Sequence, residues 1–234
     1  MTLINGGAVA SESKEACEAA IEILNKGGNA VDAAIASIAV QGITRPFSGG
    51  VGGDGFIHLY LEKEKRSIVI DNRSLSPQNF GPESFIDQNT GEAYPADVRT
   101  SSGMAVSVPG AVKAWEEALS KYGTMSFSEV LQPAINVAEN GFLANANFVR
   151  EVTENAKRFN QFSSTRSIYL DEKGNPPEVG TLIKNPDFGK TYRLIAEHGS
   201  AIFYEGDIAE AIVNTVHQPP VADDVSDSND ILSG

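Results

Sequence analysis

The sequence predicts an α+β fold dominated by helices. Three observations carry that expectation: two helical stretches ahead of a glycine-rich loop, one pair of strand-like stretches behind it, and a run of helices with start and stop signals through the rest of the chain. In order, Ser11–Asn25 (SESKEACEAAIEILN) puts Ala16, Ala20, Ile21 and Leu24 on one helical face, and Gly27-Gly28 stops it. Asn29 reads as an N-cap, with Asp32 in the first turn, for a helix through Val40. That helix, AVDAAIASIAV, is small or apolar nearly all round, which predicts burial on most sides. After the glycines, Phe56–Leu61 and Ser67–Asp71 read as two strands joined by the charged turn EKEKR.

Further on, Gly110–Lys121 reads as a helix ending at Gly123, and Ser126-x-x-Glu129 as a capping box for a helix that stops at Gly141. Pro133 is expected to limit or kink that helix in its first turn. Arg150–Phe162 reads as a polar amphipathic helix and Lys173–Gly180 as a loop. Asn185-Pro186-Asp187 opens a helix to His198 with Gly199 as its stop, and Asp207–Val216 is the last. Pro219–Gly234 holds four aspartates and no basic residue, which predicts a mobile acidic tail or a truncated loop.

The 234 residues, 41% hydrophobic and 21% charged, suffice for one large domain or two small ones. A net charge of −13 argues against nucleic acid and against an anionic membrane surface as partners, since both need a basic footprint. Cys17 is the single cysteine, so neither an intrachain disulfide nor a cysteine-based metal cluster can form. MTLINGGAVA has no basic start and no apolar core, so a soluble, cytoplasmic protein is expected.

Gly50-Val51-Gly52-Gly53-Asp54-Gly55 is formally GxGxxG, but a dinucleotide fingerprint needs the order strand, glycine turn, helix. Here a helix precedes the loop and a strand follows it, so no cofactor is expected. Five glycines in residues 49–55 instead predict a sharp turn and a close backbone approach. No nucleophile stands out. Cys17 sits among alanines in a helix, and His58, His198 and His217 are scattered, without triad or metal-ligand spacing. Arg73 is the one charged residue to single out. It follows the second strand directly in DNRSLSP, where an arginine can hold a carboxylate through two parallel hydrogen bonds, although most arginines so placed form surface ion pairs.

NKGGNAVDAAIASIAVQG, RPFSGGVGGDGFIHLY, DNRSLSP, SVPGAVKAWEEALSKYGTMSFSEVLQPAINVAENGF and FYEGDIAEAIV, in that order, resemble the large-subunit part of a gamma-glutamyltranspeptidase, from about Gly6 to Val216. The resemblance implies an N-terminal-nucleophile hydrolase built as an αββα four-layer sandwich, with residues 1–218 as the large-subunit portion and 219–234 as the tail. It also implies a precursor that cuts itself before a threonine. The freed Thr hydroxyl attacks a γ-glutamyl amide such as that of glutathione, its own α-amino group serving as base. That threonine is expected outside this sequence, on a small subunit of the same precursor, so the chain alone is expected to be inactive. Arg73 aligns with the arginine that grips the α-carboxylate of the glutamyl group, which makes it the one substrate-binding residue expected here, with no catalytic and no metal-binding residue in the chain.

Asp54 and Phe47 stand where typical transpeptidases tend to carry glycine and histidine, and look more like the cephalosporin acylase or amidohydrolase branch. Two alternatives therefore stand beside the γ-glutamyl enzyme. One is an acylase or amidohydrolase of the same fold acting on another carboxylated amide, such as a glutaryl side chain. The other is a non-catalytic binding remnant, disfavoured because a half sandwich leaves sheet edges unpaired.

Overall fold

A computed structural model describes residues 7–225. In chain order its elements are α1 (Lys14–Asn25), α2 (Ala30–Thr44), β1 (Phe56–Leu61), β2 (Arg66–Asp71), α3 (Ala96–Thr100), α4 (Ala111–Tyr122), α5 (Phe127–Asn140) and β3 (Phe142–Leu143). Then follow α6 (Ala146–Phe159), α7 (Ser163–Tyr169), β4 (Leu182–Ile183), α8 (Pro186–His198), α9 (Ala201–Tyr204) and α10 (Asp207–His217). Among the described residues the strands form two antiparallel pairs, β1–β2 and β3–β4, which makes the fold α+β. No helix among them is long and apolar enough to cross a membrane. The chain divides into two compact units, one of residues 7–74, 109–143 and 182–206, the other of 75–108, 144–181 and 207–225.

The first unit is a helical core with a hairpin. α1 starts at Lys14 rather than at Ser11 because Ser13 is its cap: its buried Oγ accepts the Ala16 N–H at 3.1 Å and the Thr44 hydroxyl at 2.9 Å. Asn29 and Asp32 make the capping box that opens α2, with Asp32 Oδ2 accepting the Asn29 N–H at 2.7 Å. Asp32 is fully buried and also accepts from the Thr124 N–H and hydroxyl and from the Met125 N–H. One carboxylate thereby ties the start of α2 to the turn between α4 and α5. As its composition predicts, α2 is buried nearly all round.

α2 continues past Val40 to Thr44, through Gly42. A Cβ on Gly42 would lie 2.7 Å from the Cα of Gly50, itself at φ 121°, so helix and glycine loop touch backbone to backbone. This is the close approach that the loop composition predicted. Tyr192 of α8 closes the same corner, fully buried, with its hydroxyl donating to the Ala39 carbonyl at 2.8 Å while burial pushes its pKa upward. α5 opens on the Ser126/Glu129 capping box and stops at Gly141, as read. Pro133 does not limit it: the helix is continuous across a buried Pro133, which lacks only the N–H that would have bonded to the Glu129 carbonyl. α8 is likewise capped by Asn185 and stopped by Gly199.

In the second unit the helix expected over Arg150–Phe162 is α6, which starts four residues earlier and ends three earlier, and α7 follows it where no helix was expected. Asn145 Oδ1 caps α6 by accepting the Phe148 N–H at 2.9 Å, and the chain leaves the helix after Phe159 so that Phe162 can pair with Val221. Tyr169 of α7 packs on Phe148 and Phe159 at ring-centroid distances of 6.2 and 5.6 Å. Of the acidic segment expected from Pro219 onward, the part through residue 225 is held: Ala222 is buried and donates to the Gln161 carbonyl, and Arg166 takes both carboxylate oxygens of Asp224, at 3.0 and 2.9 Å. Residues 226–234 lie outside the described residues.

Candidate functional site

The site is assembled where the hairpin meets the glycine loop. β1 and β2 pair with Phe56 opposite Asp71, and the Asn72 N–H donating to the Gly55 carbonyl at 3.0 Å extends the ladder by one step. One further step places Asp54 opposite Arg73. Their side chains meet there: Arg73 Nη1 donates to Asp54 Oδ1 at 2.7 Å. The other carboxylate oxygen, Oδ2, accepts the Ser74 N–H at 3.0 Å and the Ser74 hydroxyl at 2.5 Å. Asp71 Oδ1 in turn accepts the Arg73 N–H at 3.0 Å.

Two glycines bring a helix start up to this strand end. Gly110, just before α4, lies so close to β2's extension that a Cβ there would collide with the Asn72 carbonyl oxygen. The Ala111 N–H reaches back to the Gly53 carbonyl at 3.3 Å. The strand end, the loop and the first turn of α4 are therefore fixed to one another through backbone, and only glycine fits at position 110.

The electrostatics follow from those bonds. The Ser74 hydroxyl, then the Ser74 N–H, hold the Asp54 carboxyl below its usual range against an opposing effect of burial, with the Arg73 charge adding least. Asp54 is therefore an anion throughout the neutral range, and it anchors the guanidinium from one side. The Arg73 side chain is 61% exposed against 21% for Asp54. Its Nε and Nη2 groups have no hydrogen-bond partner among the described residues. That leaves a positioned fork with free donors, which is the geometry that binds a carboxylate bidentately.

Arg73 is thus placed at the strand end where the sequence put it. Asp54 and Ser74 as its partners were missed, although the hairpin register alone would have paired residues 54 and 73. The histidines stay apart from this place: His58 is on the exposed face of β1, His198 ends α8 and His217 ends α10. Cys17 is half-buried, its thiol 3.7 Å from the Ser11 carbonyl. No group of His, Cys, Asp or Glu among the described residues could hold a metal ion.

Residues 16–222 match the model of the family described as gamma-glutamyltranspeptidase. The chain belongs to the gamma-glutamyltranspeptidase family. It is 35% identical over 210 residues to a glutathione hydrolase proenzyme of Bacillus subtilis, covering 90% of this chain and 35% of that protein. To an acylase ACY 1 proenzyme of a Pseudomonas species it is 33% identical, over 89% of this chain and 38% of the relative. Among solved structures, the gamma-glutamyltranspeptidase of Helicobacter pylori superposes with a TM-score of 0.86 at 30% identity, covering 92% of this chain and 61% of that one. The chain spans about a third of the length of the curated relatives it matches. In this chain the glycine-rich stretch is a helix-to-strand turn that packs Gly50 on Gly42 and carries Asp54 to Arg73.

Proposed function

We propose that this chain is the large-subunit portion of a self-processing γ-glutamyl transferase or hydrolase. In this reading Arg73 binds the α-carboxylate of a γ-glutamyl amide such as glutathione, and a threonine on the small subunit of the same precursor attacks the amide. The observation that carries it is the anchored Arg73 fork in a chain that matches the family over residues 16–222. The nucleophile would be the new N-terminal Thr hydroxyl, with its α-amino group taking the proton, and the acyl-enzyme would pass to water or to an amine. The αββα sandwich would be completed by small-subunit strands laid beside the β1–β2 hairpin. Support for this comes from the hairpin's exposed apolar residues, Phe56, Tyr60 and Val69. A cytoplasmic location belongs to the same proposal.

A second reading is favoured by one observation. Asp54 occupies Nη1 of Arg73, in a chain 33% identical to an acylase proenzyme against 35% and 33% for two glutathione hydrolase proenzymes. The enzyme would then take a glutaryl or related carboxylated amide. Arg73 serves both substrates, because each presents a carboxylate.

The test uses the whole gene. Intact mass and N-terminal sequencing of the product should give two chains, the second beginning with Thr, and a single unprocessed chain would sink the proposal. The processed enzyme should hydrolyse a γ-glutamyl anilide faster than a glutaryl one, and the reverse order selects the second reading. Arg73→Met should lower kcat/KM for either substrate by about 2–5 kcal/mol of transition-state stabilisation, the cost of unpairing a desolvated charge, while leaving the melting temperature in place.

A further inference from the structure

Arg99 has no side-chain partner among the described residues. Every other arginine among the described residues donates to a neighbouring oxygen, whereas the Arg99 guanidinium makes neither an ion pair nor a hydrogen bond, and its Nε is fully buried. Arg99 is half-buried, and although the Nε atoms of Arg45 and Arg166 are unpaired too, those guanidinia are held through their Nη groups, so Arg99 is the arginine whose guanidinium meets no acceptor among the described residues.

Arg99, in α3 of the second unit, lines a cavity of about 370 Å³. Ser76, Thr100 and Ser107 supply hydroxyls to the lining, and Phe80 and Phe85 supply an edge-to-face aromatic pair with centroids 5.3 Å apart. Leu75 and Val108, which immediately precede and follow lining residues, hold the two segments together by exchanging backbone hydrogen bonds at 3.1 and 2.8 Å. Among the described residues no aspartate or glutamate lines the cavity, in a chain whose net charge is −13. One uncompensated positive group, three hydroxyls and an aromatic wall make a site with a single charge preference. The volume is at the small end of ligand pockets.

We propose that this cavity binds a small aromatic or branched-apolar monocarboxylate, its carboxylate paired with Arg99 and its apolar body against Phe80 and Phe85. Free amino acids are disfavoured, because their ammonium group would find no anion in the lining. The inference is independent of the role given to Arg73.

The test is titration calorimetry of 3-phenylpropionate into the processed enzyme made from the whole gene, in the Arg73→Met background so that the other guanidinium is silent. Saturable binding is expected with Arg99 in place. Arg99→Met should weaken it by about thirtyfold or more, the lower bound for removing one partner of a charge pair. Arg99→Lys should retain most of it, and covers the case in which the methionine variant does not fold. The neutral 3-phenylpropionamide should not bind. Equal binding with and without the Arg99→Met substitution would overturn the proposal. So would absence of binding with Arg99 intact, the result expected if a side chain from the rest of the polypeptide already fills the cavity.

Discussion

Two carboxylates of the first unit make opposite use of the same chemistry. Asp32, at the start of α2, is sealed from solvent and accepts from Asn29, Thr124 and Met125, every donor coming from the helical core. Asp54, at the mouth of the β1–β2 hairpin, is partly open and accepts from Ser74 and Arg73, leaving part of the guanidinium free. The core is satisfied from within. The hairpin is not: Phe56, Tyr60 and Val69 lie 63%, 59% and 58% exposed. The difference separates the part of the chain that satisfies its own groups from the part that leaves apolar and charged groups uncovered.

The sharpest way to break that contrast is Asp32→Ala. It would leave the Asn29, Thr124 and Met125 N–H groups and the Thr124 hydroxyl, all at the partly buried edge of the core, without their acceptor. Each such orphan costs about 1–3 kcal/mol, so the unit should lose about 3 kcal/mol or more, even with some donors rescued by water. Chemical denaturation of the complete protein reads this directly. A loss under about 1 kcal/mol would mean that the turn between α4 and α5 is held by something other than this carboxylate.

Gly42→Ala comes next, and it tests the contact between the core and the loop that carries Asp54. The new methyl would meet the Gly50 backbone at 2.7 Å, which cannot rotate away as a side chain would. Overpacking of this kind costs about 1–3 kcal/mol. Because Gly53 and Asp54 follow on the same loop, the substitution should also weaken substrate binding, raising KM more than it lowers kcat. A variant that loses stability with KM unchanged would show that the loop's position is not set at Gly42.

What the sequence revealed, and what it concealed, divides along the same line. The capping boxes at Asn29/Asp32 and Ser126/Glu129, and the stops at Gly141 and Gly199, were legible because each is a bond between residues three or four apart. The end of α2 was misplaced because Gly42 reads locally as a breaker, while in the fold it is kept for a neighbour eight positions on. Pro133 misled for a related reason, since burial of α5 outweighs one lost backbone bond. Arg73 could be singled out from its place after a strand and from the resemblance of DNRSLSP, but its partner required the hairpin register, and Asp54 was noticed only as an unusual residue in a glycine loop. The Arg99 cavity left no trace in the sequence, because the segments around it are irregular and come together only in three dimensions.

The mildest substitution is the most selective probe of the hairpin side. Ser74→Ala removes the hydroxyl that does most to hold the Asp54 carboxyl below the ordinary aspartate value of 3.8, so its titration midpoint should move up toward that value. The sign is fixed by linkage: a carboxyl whose folded pKa is depressed stabilises the fold above its unfolded value, and the contribution is lost as pH falls through the folded one. Near neutral pH, Asp54 therefore stays ionised in both proteins and Arg73 keeps its anchor, so activity should be nearly unchanged, while the variant lacks the share of this stabilisation that the hydroxyl supplied and should be slightly less stable. The two stabilities should converge in acid, where the carboxyl is protonated in both, and the variant releases Arg73 at a higher pH than the parent. A carboxyl-carbon NMR titration of Asp54 measures the midpoint itself. An unmoved midpoint would transfer the anchoring of Asp54 from Ser74 to Arg73, making the guanidinium the partner that sets the charge at this edge.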